Sequence, residues 1–343
     1  MTKVEKITLS STISKEEAIE TMLRSGYLLE SRVSAMLRNR SWIVESNSAY
    51  MDYGTGKTRE LDVHAIGGSS IYDDERGVAL VFQHLLIECV HPPQPIVFIK
   101  SDSLLNEKKV ELIKDVSSPP FMWDGEYWHR LPSFLKLERF HHYACVPIAS
   151  QFCSFSRKNN EGRAWMAIHE DSQYAAFVAL GQAVEFHLAE LQRPNGRRSR
   201  RPAQIFPPHI ELFYPIFVVE GEIWSVDQTQ DAPEPQNVDL VNYRHSTFVN
   251  GIIEEFIVSV VTERYFQKFA ARLESECDKI AACIRDRLKD FESAQKRISE
   301  MRDAELAKLP VTVSPHLARI VASTIITRER QRRAKPSTKK ARP

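Results

Sequence analysis

Three carboxylates stand where a folding chain has least use for charge. Glu30 falls on the apolar stripe of a helical segment, between Gly26 and Val33. Asp62 shares one strand face with Glu60 and His64, while Leu61, Val63 and Ala65 form the other. Glu88 lies on a strand face that reads Val78, Leu80, Phe82, His84, Leu86, Glu88, Val90. An ionised carboxylate on such a face carries a large desolvation cost unless something compensates. Two compensations are open. A buried arginine can pair with each acid. Alternatively, a divalent cation can gather several carboxylates, since Mg²⁺ and Mn²⁺ take hard oxygen ligands, and can then activate water or polarise a phosphate.

A second stretch invites a different chemistry. GTGKT, residues 54–58, looks like part of a phosphate-binding loop. That loop needs two glycines separated by four residues before Lys-Ser/Thr, so that successive backbone amides wrap the phosphate. With Gly56 as the second glycine, the first would stand at position 51, which is Met51. The following residues, RELDVHAI, read as a strand, whereas a phosphate loop opens a helix. The stretch is therefore expected to be a hairpin turn, with Gly54 and Gly56 supplying positive φ angles, and to bind no nucleotide. His141 and His142 have no partner at metal-ligand spacing. Trp123 and Trp128 are expected to pack across a hairpin. No nucleophile elbow is present.

The elements that position the acids follow from periodicity. Residues 14–40 read as one helix, opened by a Ser14/Glu17 capping box, with apolar positions at Ile19, Met22, Leu23, Leu29, Val33 and Leu37. Residues 41–53 and 59–66 form a hairpin. Residues 77–91 are apolar enough to be a central strand, and 96–100 form another. Further on, 141–152 suggest a strand, 164–192 a long helix, and 209–227 a hairpin turning at Glu220-Gly221. A strand over 254–261 leads into a helix over 262–301. Its stripe of Phe266, Phe269, Leu273, Cys277, Ile280, Ile284, Leu288 and Phe291 either covers the sheet or pairs with a second copy.

A helical Glu, a hairpin bringing Asp, then a central strand bringing Glu: this order resembles the PD-(D/E)XK nuclease superfamily, over residues 14–100. Glu30 matches the helical acid, Asp62 in RELDVHA the strand acid, and Glu88 in LLIECVHPPQPIVFIK the first residue of Glu-x-Lys. YPIFVVEGEIWSV and EEFIVSVVTERYFQKF resemble the remainder of bacterial members more weakly. The resemblance implies an α/β fold: a restriction-endonuclease-like core with a mixed central sheet flanked by helices, here with a long C-terminal helical extension. It also implies phosphodiester hydrolysis, of DNA by preference, plausibly in bacterial defence. Asp62 and Glu88 would hold Mg²⁺ or Mn²⁺, and Glu30 would complete the site directly or through water.

The lysine position, however, is Val90. That lysine would orient the attacking water or neutralise developing charge, and valine does neither. Three explanations stay open: a cation from elsewhere, slow cleavage by metal alone, or a binding module with a dead site. If HPPQP makes a tight turn that sets Val90 opposite Ile96, Lys100 faces Leu86 and shares the face of Glu88. Lys57 is a second candidate, and His91 a poorer one.

Composition sets the outer bounds. The chain has 343 residues, 43% hydrophobic and 27% charged, with a formal net charge of +1, so no global field selects a partner. The basic charge is concentrated in RPNGRRSRRP (193–202) and TRERQRRAKPSTKKARP (327–343), which suit a phosphate backbone. Arg197, Arg198, Arg200 and Arg201 are the expected nucleic-acid contacts. Five scattered cysteines without a CxxC pair fit free thiols in a reducing compartment. With no apolar run of about 18 residues, no membrane association and a cytoplasmic location are expected. The organisation expected is an acidic-site core over 1–125, the rest of the α/β domain over 126–261, a packing or dimerisation helix over 262–310, and a basic tail over 311–343. The rival functions are a degenerate nuclease-fold protein that binds nucleic acid without cutting, and a dimeric interaction scaffold.

Overall fold

The computed structural model describes residues 12–73, 77–100, 115–118, 121–140, 148–157, 164–192, 209–228, 232–249 and 252–301. The segments carrying His141, His142, the four arginines at 197–201 and the basic tail lie outside these residues.

Helix α1 (Lys15–Ser25) begins at the expected capping box: Ser14 Oγ accepts from the Glu17 amide, and the Glu17 carboxylate accepts from the Ser14 amide. The helix does not run on to residue 40. Gly26, with φ +84°, ends α1 and starts α2 (Tyr27–Arg38). A residue with a side chain resists that angle, so glycine is what permits the break. Strands β1 (Ile43–Asp52) and β2 (Lys57–Asp73) form the expected hairpin. Its turn is held by Asp52, which accepts from the Gly54 amide at 2.9 Å and the Thr55 hydroxyl at 2.6 Å. Only Gly56, at φ +70°, takes a positive angle there; Gly54 does not. GTGKT is thus a side-chain-braced turn leading into a strand.

Strand β3 (Gly77–Val90) pairs antiparallel with β2, and its other edge runs parallel to β10 (His209–Val219). Beyond β10 the sheet continues through β14 (Ile252–Thr262), β13 (Leu240–Val249), β8 (Ile148–Arg157), β4 (Ile96–Lys100), β11 (Ile223–Asp227) and β12 (Gln236–Val238). Strands β5 (Asp115–Ser118) and β9 (Trp165–Ile168) attach to β10 and β8, giving a mixed sheet of twelve strands among the described residues. Strands from 1–125 and from 126–261 interleave in this one sheet. Two short strands, β6 (Phe121–Trp123) and β7 (Trp128–Arg130), form a separate hairpin that packs Trp123 against Trp128 as expected, ring centroids 5.2 Å apart. Helix α3 (Leu131–Leu135) follows it.

Helices cover both faces. Helix α4 (Asp171–Gln192) buries Phe177, Leu180, Val184 and Leu188 against Phe98, Phe152, Phe217 and Tyr243. On the other face, α2 joins α5 (Glu263–Arg285) and α6 (Leu288–Glu300) over Val63, Leu85, Ile87 and Ile216. The expected stripe from Phe266 to Phe291 is buried in that core, so it covers the sheet and is not presented to a second copy.

Further expectations are corrected. The helix expected over 262–301 is two helices, α5 and α6, which meet at Asp286 and Arg287. Residues 165–168, expected in a helix, form β9. The helix starts at Asp171 because the preceding residues pair with β8. The runs around Glu220-Gly221 do not pair with each other: β10 joins β3 and β14, and β11 joins β4 and β12. Finally, β4 does not fold back on β3. The chain runs onward through the prolines, and β4 pairs with β11 and β8, placing Lys100 opposite Asp227.

Candidate active site

Asp62 and Glu88 lie where β2 and β3 part, with Glu30 within electrostatic reach of both. Continuous pairing between these strands runs from Asp73 opposite Gly77 to Val63 opposite Ile87. One residue further, the Asp62 side chain takes over: its Oδ2 accepts from the Cys89 amide at 2.7 Å. A side chain reaches further than a carbonyl, so a carboxylate in place of a ladder acceptor wedges the strands open. On the other edge of β2, the register with β1 passes over Asn47, which adopts φ +53°. Asp62 is therefore flanked by irregular backbone on both sides.

Glu88 sits at this opening, two residues before the end of β3. Helix α2 delivers Glu30 in its first turn. The approach is close: a Cβ on Gly26 would lie 3.3 Å from the Cys89 carbonyl oxygen. Glycine thus has two jobs, breaking the helix and letting its N-terminus sit against the end of β3.

The electrostatics follow from this crowding. Burial, with Asp62 and then Glu30 nearby, pushes the Glu88 carboxyl up to about 9. Burial and then Asp62 push Glu30 up to about 7. Burial also raises Asp62, and the Cys89 amide pulls it partly back. Among the described residues, what acts on the three is burial, each other and a backbone amide, with no cationic side chain. The expected alternative of a buried arginine partner is not what the described residues show. Arg32, one half-turn beyond Glu30, is engaged with Glu220 and Glu263.

Lys100 is not brought to the acids. It lies at the far end of β4, about 13 Å along the strand from Ile96, and is paired in register with Asp227. Lys57 begins β2 five residues before Asp62, roughly 16 Å along the strand. Val90 packs against the core beneath α4.

Among the described residues, no group of three or more His, Cys, Asp or Glu side chains stands ready to enclose a metal ion. The donor set suits Mg²⁺ in another way. That ion keeps several waters and is characteristically bound by one or two carboxylates together with substrate phosphate. Asp62, whose Oδ1 is not engaged by Cys89, and Glu88 fit that pattern, with Glu30 at one remove.

A second buried polar group escaped the sequence. His84 Nε2 lies 2.9 Å from Glu211 Oε2, and His84 Nδ1 lies 3.3 Å from His64 Nε2. The ring of His187, from α4, is 4.3 Å from that of His64. With Glu211 as acceptor, His84 donates from Nε2 and accepts at Nδ1 from His64. Burial, then His187 and His84, hold His64 down to about 3. Burial and then His84 hold His187 at about 4. The signal was present in part, since the alternation read in the sequence put His64 and His84 on the strand faces of Asp62 and Glu88; in the fold that alternation breaks at Asp62, Leu61 joining the core beneath α4 and Val63 and Ala65 the core on the other side. The histidines' meeting with Glu211 depended on β10 lying beside β3.

No family model, curated protein or solved structure matches the chain. The structure is a mixed α/β fold, and no described helix is long and apolar enough to cross a membrane.

Proposed function

We propose that this chain is a divalent-metal-dependent nuclease with a restriction-endonuclease-like core, and that Asp62 and Glu88 hold the metal. The observation that carries the proposal is the convergence of three half-buried acids at the parting of β2 and β3 without a counter-cation. The order of elements supports it: a helix bringing Glu30, a hairpin bringing Asp62, and a central strand bringing Glu88, which runs parallel to β10. Bound there, Mg²⁺ or Mn²⁺ would polarise the scissile phosphate and lower the pKa of the attacking water. Asp62 is oriented for its role by the Cys89 amide. Glu88, pushed up to about 9 without a cation, would give up its proton to hold one. Glu30 takes up or releases a proton near neutrality at the edge of the site. The arginines at 197, 198, 200 and 201 would supply phosphate contacts along the substrate.

One observation favours a second reading. Val90 replaces the lysine, and no other cation reaches the acids among the described residues. A protein that keeps the fold and binds nucleic acid without cutting is consistent with that. The experiment that separates the two is cleavage of supercoiled plasmid and of single-stranded DNA by purified protein, with Mg²⁺, Mn²⁺ or EDTA, alongside Asp62→Ala and Glu88→Ala. Metal-dependent cutting absent from both variants supports the nuclease. No cutting with any metal, from a folded protein that shifts DNA on a gel in a salt-sensitive way, supports the binding module.

A further inference from the structure

A cleft of about 540 Å³ opens beside the acids, between the segment that leaves β3 and the start of α4. Cys89 lines it, and the Cys89 amide holds Asp62. His91 lines it too, at most about 7 Å further along the chain. Of the other polar groups there, Ser172 and Gln173 are neutral, and Glu170 accepts from Gln173 Nε2 at 2.8 Å. His91 is therefore the one side chain lining the cleft that can carry a positive charge.

The ring of His91 is held from behind. Its Nδ1 lies 3.3 Å from an oxygen of Glu220, the residue that follows β10. Both atoms are closed to solvent, and neither has a hydrogen-bond partner elsewhere among the described residues. Two such atoms facing each other are costly unless a proton lies between them. Nδ1 thus carries a proton, and Nε2 is left to take or give a second. Glu220 is fixed in turn. Its other oxygen meets Arg32 at 2.7 Å, Arg32 is anchored to Glu263, and the Glu220 amide donates to the Val90 carbonyl at 2.9 Å. The His91 side chain is 35% exposed. With Nδ1 shut against Glu220, that exposure belongs to the rest of the ring, and Nε2 has no hydrogen-bond partner among the described residues. His91 is not among the groups that shift Glu30, Asp62 or Glu88. It stands apart from the acids, where a bound substrate rather than a metal ion would meet it.

We propose, resting on the nuclease reading above, that His91 is a catalytic residue: the general acid that protonates the leaving oxygen. Water attacks phosphorus on one side, and the bond to the leaving oxygen breaks on the other. The electron pair goes to that oxygen, which takes the proton from His91 Nε2. His91 is left as neutral imidazole with its Nδ1 proton on Glu220. It regains a proton from solvent, to which the attacking water has lost one. Glu220 is a positioning residue. The positive charge that Val90 does not supply enters the reaction on the leaving side.

The test compares oligonucleotides having ordinary linkages with two sets in which the 3′ or the 5′ bridging oxygen is sulfur. In one of those sets the leaving atom is sulfur, and a thiolate departs without a proton. Cleavage is timed for the full chain, His91→Gln and His91→Asn, with the metal that supports cutting. His91 lies beyond the end of β3 and is part-exposed, so both substitutions spare the core. The expected result is a loss of at least about 100-fold on ordinary linkages in both variants, with cleavage of the sulfur-leaving set within about threefold of wild type. Equal losses on both kinds of linkage, or an unchanged rate on ordinary ones, overturn His91 as the acid and leave the nuclease standing. So does a wild type that cuts ordinary linkages and neither sulfur set. No metal-dependent cutting of any linkage by wild type removes the nuclease reading, and the role of His91 with it.

Discussion

Glu88→Gln should make the protein more stable. In the unfolded chain the carboxyl ionises at its ordinary 4.5, whereas in the fold it is pushed up to about 9. A folded pKa above the unfolded one means stability that is full below 4.5 and is lost as pH rises towards 9. At 1.36 kcal/mol per pH unit, the native state at pH 7 has forfeited up to about 3 kcal/mol on this group, and about 2 kcal/mol more by pH 8.5. Water reaching the strand end screens part of this, leaving an expected gain of about 1–3 kcal/mol for the neutral, isosteric glutamine at pH 7. Urea unfolding of both proteins at pH 7 and 8.5 measures it. The difference between the proteins cancels the shared groups that do not feel Glu88; Cys89 and Tyr50, which do, are raised chiefly by burial and stay protonated through pH 8.5, and the window lies above the titration of the buried histidines. The gap should widen with pH. Added Mg²⁺ should close it by stabilising only the wild type, by about 2.7 kcal/mol at a hundred times its Kd. Equal stabilities at both pH values would refute the desolvated, unpaired acid. A gap that Mg²⁺ leaves untouched would refute the cation.

Two further outcomes follow from the geometry around the acids. Gly26→Ala forces a side chain into φ +84° and a Cβ to 3.3 Å from the Cys89 carbonyl, so it should cost about 1–2 kcal/mol and weaken Mg²⁺ binding by displacing Glu30, read by calorimetric Tm and metal titration. The buried histidines act with the opposite sign to Glu88: with folded values of about 3 and 4 for His64 and His187, their stability is full above 6.5 and is lost as pH falls towards 4. His64→Gln should therefore remove about one proton from the acid limb of the stability curve, measured as the slope of unfolding free energy between pH 6.5 and 4.

How much of this was legible in the sequence depended on range. The capping box at Ser14, the β1–β2 hairpin and the buried stripe of α5 are local patterns, and local physics fixes them. The three acids were visible as charge on apolar faces. What misled were two neighbouring apolar runs, since adjacency in sequence suggests pairing in space. Residues 209–219 and 223–227 flank a Glu-Gly turn and look like a hairpin. Yet β10 is buried at every residue from Ile210 to Val219, which is the mark of a central strand covered on both faces, not of an alternating hairpin arm. The same error placed Lys100 near Glu88. A β3–β4 hairpin is the shortest topology, but β10 occupies the edge of β3 that β4 would need. Gly26 could have been read as a helix break, because an interior glycine is costly and here stands at the start of the turn bearing Glu30.

If position 90 is the lysine position of the proposed nuclease, its valine gains a physical meaning from where the cations went. Arg32, the arginine of α2 nearer to Glu30, is committed to Glu220 and Glu263, tying α2 to the end of β10 and the start of α5. Its charge serves the frame of the site and not its interior. Among the described residues the interior is left with three acids and no cation, and burial with Asp62 and Glu30 nearby pushes Glu88 up to about 9, so that it holds a proton at neutral pH. On the proposed reading a metal ion would replace that proton, so binding would release it and apparent affinity would rise with pH up to Glu88's own titration. A lysine at position 90 would have neutralised the acids permanently and weakened that coupling. On the proposed nuclease reading, with valine there, the balancing charge would come from outside as a metal ion, and occupancy of the site would be tied to both metal concentration and pH.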